Sequence, residues 1–318
     1  MIGPRWSWNE GGAGMSEDPS SVPLAAAFAE RYERLGLLGE GAMGEVRLCR
    51  DRVIGREVAM KVIKSVRVDS PHRWRFIREA RVQGQLEHPA IVPVYDLGVS
   101  PEGHPFFTMK RLHGESFGQV LEKLRAGDPE APTRWTRKRM LRMFATVCLA
   151  VDFAHARGVV HRDLKPDNLM LGEYGEIYVL DWGIAKLLAE AVQKSEARLL
   201  DASRATRTDQ GSVLGTPGYM SPEQLRGEVA DVAPAADVYS LGALLFELLT
   251  LRPLHDQERM QDKLISVLQT DGARPSERGA RVNPALDAAC REALRLDAAR
   301  RPTARALHDI VEGCLDAG

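Results

Sequence analysis

The sequence predicts a chain of the α+β class, in which a small strand-rich unit precedes a larger, mainly helical one. Three observations carry that reading. Between Tyr32 and Leu112 apolar and polar residues alternate in short runs, as in "EVRLCRD" and "REVAMKVI", the period of a strand with one buried face. From Arg137 the apolar spacing changes to that of an amphipathic helix, with Met140, Phe144, Val147, Cys148, Val151 and Ala154 recurring on one side. The change falls at one place, near Leu112–Glu115, so the units are predicted as 31–113 and 114–315.

The elements follow in order. Residues 1–30, rich in Gly, Ser, Pro and Glu without an apolar period, predict a disordered tail, with Met15 as a second candidate start. Strands are expected over Tyr32 to Asp96, interrupted by a helix from about Pro71 to Leu86 whose apolar face is Trp74, Ile77, Ala80 and Val82. A further strand, "PFFTMKRL", ends near Gly114. In the second unit, Gly158 stops the helix that begins near Arg137. "DVYSLGALLFELLTL" is apolar nearly all round and predicts a buried central helix. "LDAACREALRLDAARRP" and "TARALHDIVEGCL" are amphipathic helices near the end, and no internal repeat is present.

Composition narrows the class. With 44% hydrophobic and 27% charged residues, the 318-residue chain has the make-up of a globular protein. A net charge of −1 gives no basis for wholesale binding to nucleic acid or to an anionic membrane. Cys49, Cys148, Cys290 and Cys314 lie far apart without metal spacing, which argues against structural zinc and suits a reducing, cytoplasmic setting. No apolar run approaches the roughly 20 residues that span a bilayer. The best one, Leu241 to Leu251, contains Glu247, and the N-terminus lacks the pattern of a signal peptide.

Chemistry concentrates in "VVHRDLKPDNLM", Val159 to Met170. His161, Arg162, Asp163, Lys165, Asp167 and Asn168 stand between two apolar pairs. Burying unpaired charge is costly, so the arrangement predicts a catalytic loop pinned between two short strands. Other motifs are ambiguous singly. "LGEGAMGEVRL" holds Gly39, Gly41 and Gly44 between two strand-like segments, whereas a dinucleotide-binding turn leads from strand to helix. Lys61 ends an apolar strand and by itself reads as a snorkelling side chain. Glu79 alone reads as a solvated helix position, and Asp181 in "YVLDWG" as a turn former.

Their order is not ambiguous. Glycine loop, strand lysine, helix glutamate, "HRDLKPDN", "DWG", "GTPGYMSPE" and "ADVYSLG" follow one another as in the signature set of protein kinases. From about Tyr32 to Val311 the chain resembles the eukaryotic-like serine/threonine protein kinases of bacteria.

The resemblance implies a bilobal fold with a small antiparallel β-rich N-lobe, one key helix, and a helical C-lobe. It implies transfer of the ATP γ-phosphoryl group to Ser/Thr hydroxyls of protein substrates, with Mg²⁺ as cofactor and Mn²⁺ as a substitute. Leu38, Gly39, Glu40, Gly41, Ala42, Met43, Gly44, Glu45 and Val46 would cover the nucleotide. Val46, Ala59 and Met170 would sandwich adenine, with Met109 as gatekeeper and Lys110, Arg111 and Leu112 as hinge. Lys61, paired with Glu79, would contact the α- and β-phosphates. Asp163 would orient the substrate hydroxyl, Lys165 would reach the γ-phosphate, and Asn168 and Asp181 would hold the metal. Asp237 would support the loop, and Glu223 would pair with Arg301.

Three departures stand out: Met60 before the lysine, Trp182 where Phe is common, and Ser221 where Ala is common. The last is expected to have little consequence. Ser203, Thr206, Thr208 and Ser212 are candidate autophosphorylation sites whose phosphates would pair with Arg162, while Thr216 would bridge Asp163 and Lys165. Rival readings are a pseudokinase scaffold, disfavoured because Lys61, Asp163 and Asp181 are all present, and a small-molecule phosphotransferase, disfavoured by "GTPGYMSPE". A monomer or weak homodimer is expected.

Overall fold

A computed structural model describes residues 28–41, 44–63, 71–182, 217–227 and 234–316. The short helix α1 (Phe28–Arg31) leads into β1 (Tyr32–Gly41), β2 (Gly44–Asp51) and β3 (Arg56–Ile63). Helix α2 (Pro71–Gln85) follows, then β4 (Val94–Val99) and β5 (Pro105–Lys110). These strands form one antiparallel sheet in the order β1-β2-β3-β5-β4.

Alternation in β3 explains both of its faces. Val58, Met60 and Val62 join Tyr32, Cys49 and Phe106 in one apolar cluster, against which Phe28 packs. Ile63 joins Phe107 on the other face, where Phe76 and Ala80 of α2 close over it. Lys61, two residues before Ile63, therefore points towards α2. Period two thus carries one polar side chain into an apolar interface.

The buried stripe of α2 differs from the expected one. Phe76, Ala80 and Gln83 are buried at helical spacing, whereas Trp74 is 65% exposed. At 3.6 residues per turn Trp74 lies roughly 200° around the helix from Phe76. A helix with only one face on a sheet cannot bury both rings.

The second unit is built on α5 (Arg137–His155) and α7 (Pro234–Thr250), with α3 (Phe117–Ala126) and α4 (Ala131–Arg134) before them and α6 (Pro222–Leu225) between. Helices α8 (Met260–Gln269), α9 (Pro284–Ala293) and α10 (Ala304–Asp316) complete it. Every residue of α7 from Ala236 to Leu249 is buried. Gly242 lets α7 approach α9: a Cβ there would lie 2.8 Å from that of Ala293. Thr136 caps α5 by accepting from Arg139 N–H, and Ser116 with Gln119 forms a capping box on α3. Among the described residues no helix is long and apolar enough to cross a membrane.

A three-stranded sheet, β6 (Glu115–Ser116), β7 (Leu169–Leu171) and β8 (Ile177–Val179), sits beside the first. It supplies one of the two strands expected around the charged loop. Val159–Val160 do not form the other, because the backbone there completes the end of α5. Val159 N–H donates to Ala154 O at 3.0 Å and Gly158 N–H to His155 O at 2.9 Å. The helix C-terminus has taken hydrogen-bonding groups that a strand would need.

Candidate active site

The expected site residues fall on elements of both units. Leu38, Gly39, Glu40 and Gly41 lie on β1, and Gly44, Glu45 and Val46 on β2. Ala42 and Met43 lie outside the described residues, as do Ser203, Thr206, Thr208, Ser212, Thr216 and residues 1–27 of the expected tail. Gly44 has φ 158°, and a Cβ there would sit 2.0 Å from Val62 O, so only glycine lets β2 approach β3 this closely. Pairing sets Val46 opposite Lys61 and Ala59 opposite Met109. The hinge side chains turn elsewhere: Lys110 lies 4.5 Å over the Tyr178 ring and Arg111 pairs with Glu57.

Lys61 binds two carboxylates, Glu79 Oε1 at 2.6 Å and Asp181 Oδ1 at 2.9 Å. Burial disfavours its ammonium, but Asp181 and Glu79 outweigh burial and push the pKa above the ordinary lysine value. Burial pushes Glu79 above the usual carboxylate range despite Lys61. At Asp181 burial acts the same way, yet Lys61 prevails and holds the carboxyl below that range. Asp181 has φ 56°, a backbone conformation that costs a non-glycine residue energy and recurs at functional sites.

The loop of the second unit is held from beneath. Asp237, fully buried on α7, accepts from the backbone N–H of His161 at 2.8 Å and of Arg162 at 2.7 Å, and lies 2.8 Å from His155 Nε2. Arg162 is thereby kept at φ 69°. His161 Nε2 donates to Leu180 O at 2.8 Å, leaving Nδ1 to accept from Asp163 N–H at 3.2 Å. Since Leu180 precedes Asp181, one imidazole ties the two acidic segments together. Leu180 N–H adds a second tie by donating to Asn168 O at 2.8 Å. Asn168 Nδ2 donates to Asp163 O at 2.7 Å and Oδ2 at 3.0 Å, and Lys165 Nζ lies 3.1 Å from the same Oδ2. Asp163, Lys165 and Asn168 thus form one cluster, and Lys61, Glu79 and Asp181 another.

Trp182 is buried, meets His161 edge-on with ring centroids 4.8 Å apart, and donates Nε1–H to Val179 O at 3.3 Å. The larger ring is accommodated with its polar atom satisfied.

Two contributors escape sequence reasoning. His155 gave no signal beyond its place at a helix end. In the sequence Glu247 is an interruption of an apolar run. It is buried between Arg125 and Tyr219, both of which donate to it, so it anchors the segment 217–227. An acid inside an otherwise apolar helix is itself a signal of a buried partner. Glu223 and Arg301 form a two-pronged buried pair, at 2.6 and 2.9 Å, beneath the same segment.

Comparison with known proteins gives the same picture. A family model described as the protein kinase domain matches residues 32–310. Serine/threonine-protein kinase PknD of Protochlamydia amoebophila is 36% identical over 252 residues, covering 76% of this chain and 25% of the relative. Serine/threonine-protein kinase PknB of Mycolicibacterium smegmatis is 37% identical over 271 residues, covering 84% of this chain and 40% of the relative. The PknD of Chlamydia muridarum is 37% identical over 234 residues, 70% of this chain and 25% of its own length. The chain therefore spans a quarter to two-fifths of these relatives. By this match, and by the order of its motifs, the chain belongs to the protein kinase domain family.

Proposed function

We propose that the chain is an ATP-dependent serine/threonine protein kinase, with residues 31–113 as the nucleotide-binding lobe and 114–315 as the catalytic and docking lobe. The observation that carries the reading is the meeting of Lys61 with Asp181, a lysine of the first unit with an acid of the second. Phosphoryl transfer asks little covalent chemistry of a protein and much positioning and charge neutralisation.

The donor set fits a hard divalent cation. Asn168 commits its Nδ2 to Asp163, which directs its Oδ1 away, and Asp181 commits only Oδ1 to Lys61. An amide oxygen and a carboxylate oxygen then remain, the kind and number of protein ligands that Mg²⁺ takes alongside phosphate, with Mn²⁺ as a substitute. When bound, Mg-ATP supplies the γ-phosphoryl group and a counter-charge for it. Lys61 holds its ammonium for the α- and β-phosphates, and Glu79 fixes where that ammonium stands. Asp163 accepts a hydrogen bond from the substrate hydroxyl and orients it. Lys165, beside Asp163, serves the γ-phosphate and marks Ser/Thr rather than Tyr acceptors. The four cysteines are free, which suits a reducing, cytoplasmic setting for the reaction.

Regulation by autophosphorylation within 203–212 belongs to this reading. Support comes from the receiving side. Arg162 Nε is buried and, among the described residues, without a hydrogen-bond partner. Burial lowers the Arg162 pKa, Asp237 opposes that, and Arg78 adds to it. A phosphate would supply the hydrogen-bond acceptor that this Nε–H lacks among the described residues.

The test is transfer of ³²P from γ-labelled ATP to myelin basic protein by the wild-type chain and by Asp163→Asn, followed by phosphoamino-acid analysis. Phosphoserine or phosphothreonine that depends on Asp163 is expected. An inactive wild-type chain points to a scaffold. Label in small acceptors alone, or in tyrosine, overturns the proposed specificity.

A further inference from the structure

Ser221, where kinases commonly carry alanine, was expected to matter little, and the structure assigns it a task. Its side chain is completely buried and caps α6. The hydroxyl donates to Gln224 Oε1 at 3.1 Å, and the Ser221 N–H donates to the same oxygen at 3.0 Å. Two donors on one oxygen fix which way the Gln224 amide faces. Its Nε2 then points out of the cap and donates to Arg162 O at 2.8 Å. The opposite amide orientation would set an NH₂ group against two donors and an oxygen against a carbonyl.

Arg162 O belongs to the peptide unit that leads into Asp163. The other end of that unit, Asp163 N–H, is held by His161 Nδ1 at 3.2 Å. Both polar groups of one peptide plane are therefore clamped, one by the catalytic loop itself and one by the docking segment. Rotation of this plane would carry the Asp163 side chain with it, and the residue before it already sits at φ 69°. We propose that Gln224, oriented by Ser221, is a positioning residue: a strut through which segment 217–227 sets the direction of the Asp163 carboxylate. The strut rests on the kinase reading and adds to it a mechanical link between substrate docking and the group that receives the substrate hydroxyl. Neither residue touches substrate or nucleotide in this role; both act through Asp163.

The experiment compares the wild-type chain with Gln224→Met, Ser221→Ala and the double variant, measuring kcat, KM for ATP, KM for a protein substrate, and Tm. Gln224→Met keeps length and removes the amide. About a tenfold loss in kcat is expected, with KM for ATP unchanged. Ser221→Ala is expected to lose about threefold, because the Ser221 N–H still holds the amide. The double variant should be no slower than Gln224→Met, since the hydroxyl reaches Asp163 only through the amide, and the cap it gives the Gln224 backbone N–H is read in Tm. A folded Gln224→Met with wild-type kcat overturns the strut, and so do losses that multiply in the double variant. Should Gln224→Met fail to fold, Gln224→Glu decides. It still accepts from Ser221 but turns an oxygen towards Arg162 O, so an unchanged kcat there overturns the proposal equally. An inactive wild-type chain overturns the kinase reading itself, a result visible before any variant is compared.

Discussion

Lys61 Nζ lies 2.9 Å from Asp181 Oδ1, although 120 positions separate the two residues in the chain. The contact joins a strand of the first unit to the end of a strand in the second. It also states the electrostatic problem of the site: Glu79 shares the same ammonium, so one cation serves two carboxylates.

Removing that cation should be severe for activity. Lys61→Met leaves Glu79 and Asp181 facing each other across an apolar thioether. Loss of one such preorganised group typically costs about 10²–10³ in rate. Transfer of γ-phosphate should fall by about that factor, and Glu79→Gln in the same chain should add little, because its effect runs through Lys61. A multiplicative further loss in a radiolabel assay would show that Glu79 acts independently.

Asp163→Asn keeps the shape of the side chain and removes its charge. Asn168 and Lys165 both address Asp163 Oδ2, so the variant also loses the contact that fixes Lys165. Phosphotransfer should drop by about 10²–10⁴. Nucleotide affinity by calorimetry should stay within a few-fold, since Asp163 lies in neither the glycine loop nor the hinge. A parallel collapse of nucleotide binding would move Asp163 into the nucleotide site.

Much of this site was legible from the sequence through the order of its motifs, because singly most of them admit a bland reading. Lys61 alone reads as a snorkelling side chain and gains a role only from its place in the series, whereas α7 is legible by itself as a helix apolar on every side. What was not legible depends on distance in three dimensions. Trp74 and Phe76 have similar local signals, and only the sheet decides which of them is covered. Val159–Val160 looked like a strand because nothing local shows that α5 consumes their backbone. Ser221 differs from alanine by one oxygen, and its importance follows from Gln224 and Arg162 O, the latter 59 positions upstream in a loop whose path is not written locally. Rules of period and propensity see faces; they do not see which partner meets them.

The Glu223–Arg301 pair should dominate the stability of segment 217–227. Both side chains are buried, and removing one partner of such a pair costs about 3–5 kcal/mol. Arg301→Met should lower the free energy of urea unfolding by that amount. Burial raises the Glu223 pKa, but Arg301 prevails and holds it below the ordinary glutamate value. A depressed carboxyl contributes stability that is present above the unfolded pKa, about 4.3, and is lost as pH falls below it through the folded value. Arg301→Met should therefore flatten the acid limb of the stability curve below about pH 4. An unchanged acid limb would assign that limb to other carboxyls.

His255 should make the chain sensitive to milder acid. The ring is buried, with Nε2 2.9 Å from the Tyr239 hydroxyl and Nδ1 2.8 Å from Ser266 Oγ. Burial first, then the charges of Lys263 and Arg278, push its pKa down to about 4 from an ordinary value of 6.5. A depressed histidine is neutral in the folded chain and protonated in the unfolded one between those two values. Its contribution is complete above pH 6.5 and declines as pH falls towards 4, because the unfolded chain gains the proton that the folded chain refuses. At 1.36 kcal/mol per pH unit, the full loss is about 3 kcal/mol. Urea unfolding of the wild-type chain from pH 7.5 to 4.5 should show this decline, with its onset near pH 6.5. His255→Gln keeps a hydrogen-bonding side chain without the titration, so its stability should start lower at pH 7.5 and fall less steeply to pH 5, the remaining slope including His88, whose pKa burial also lowers. Equal slopes in the two chains over that range would mean that another group binds the proton.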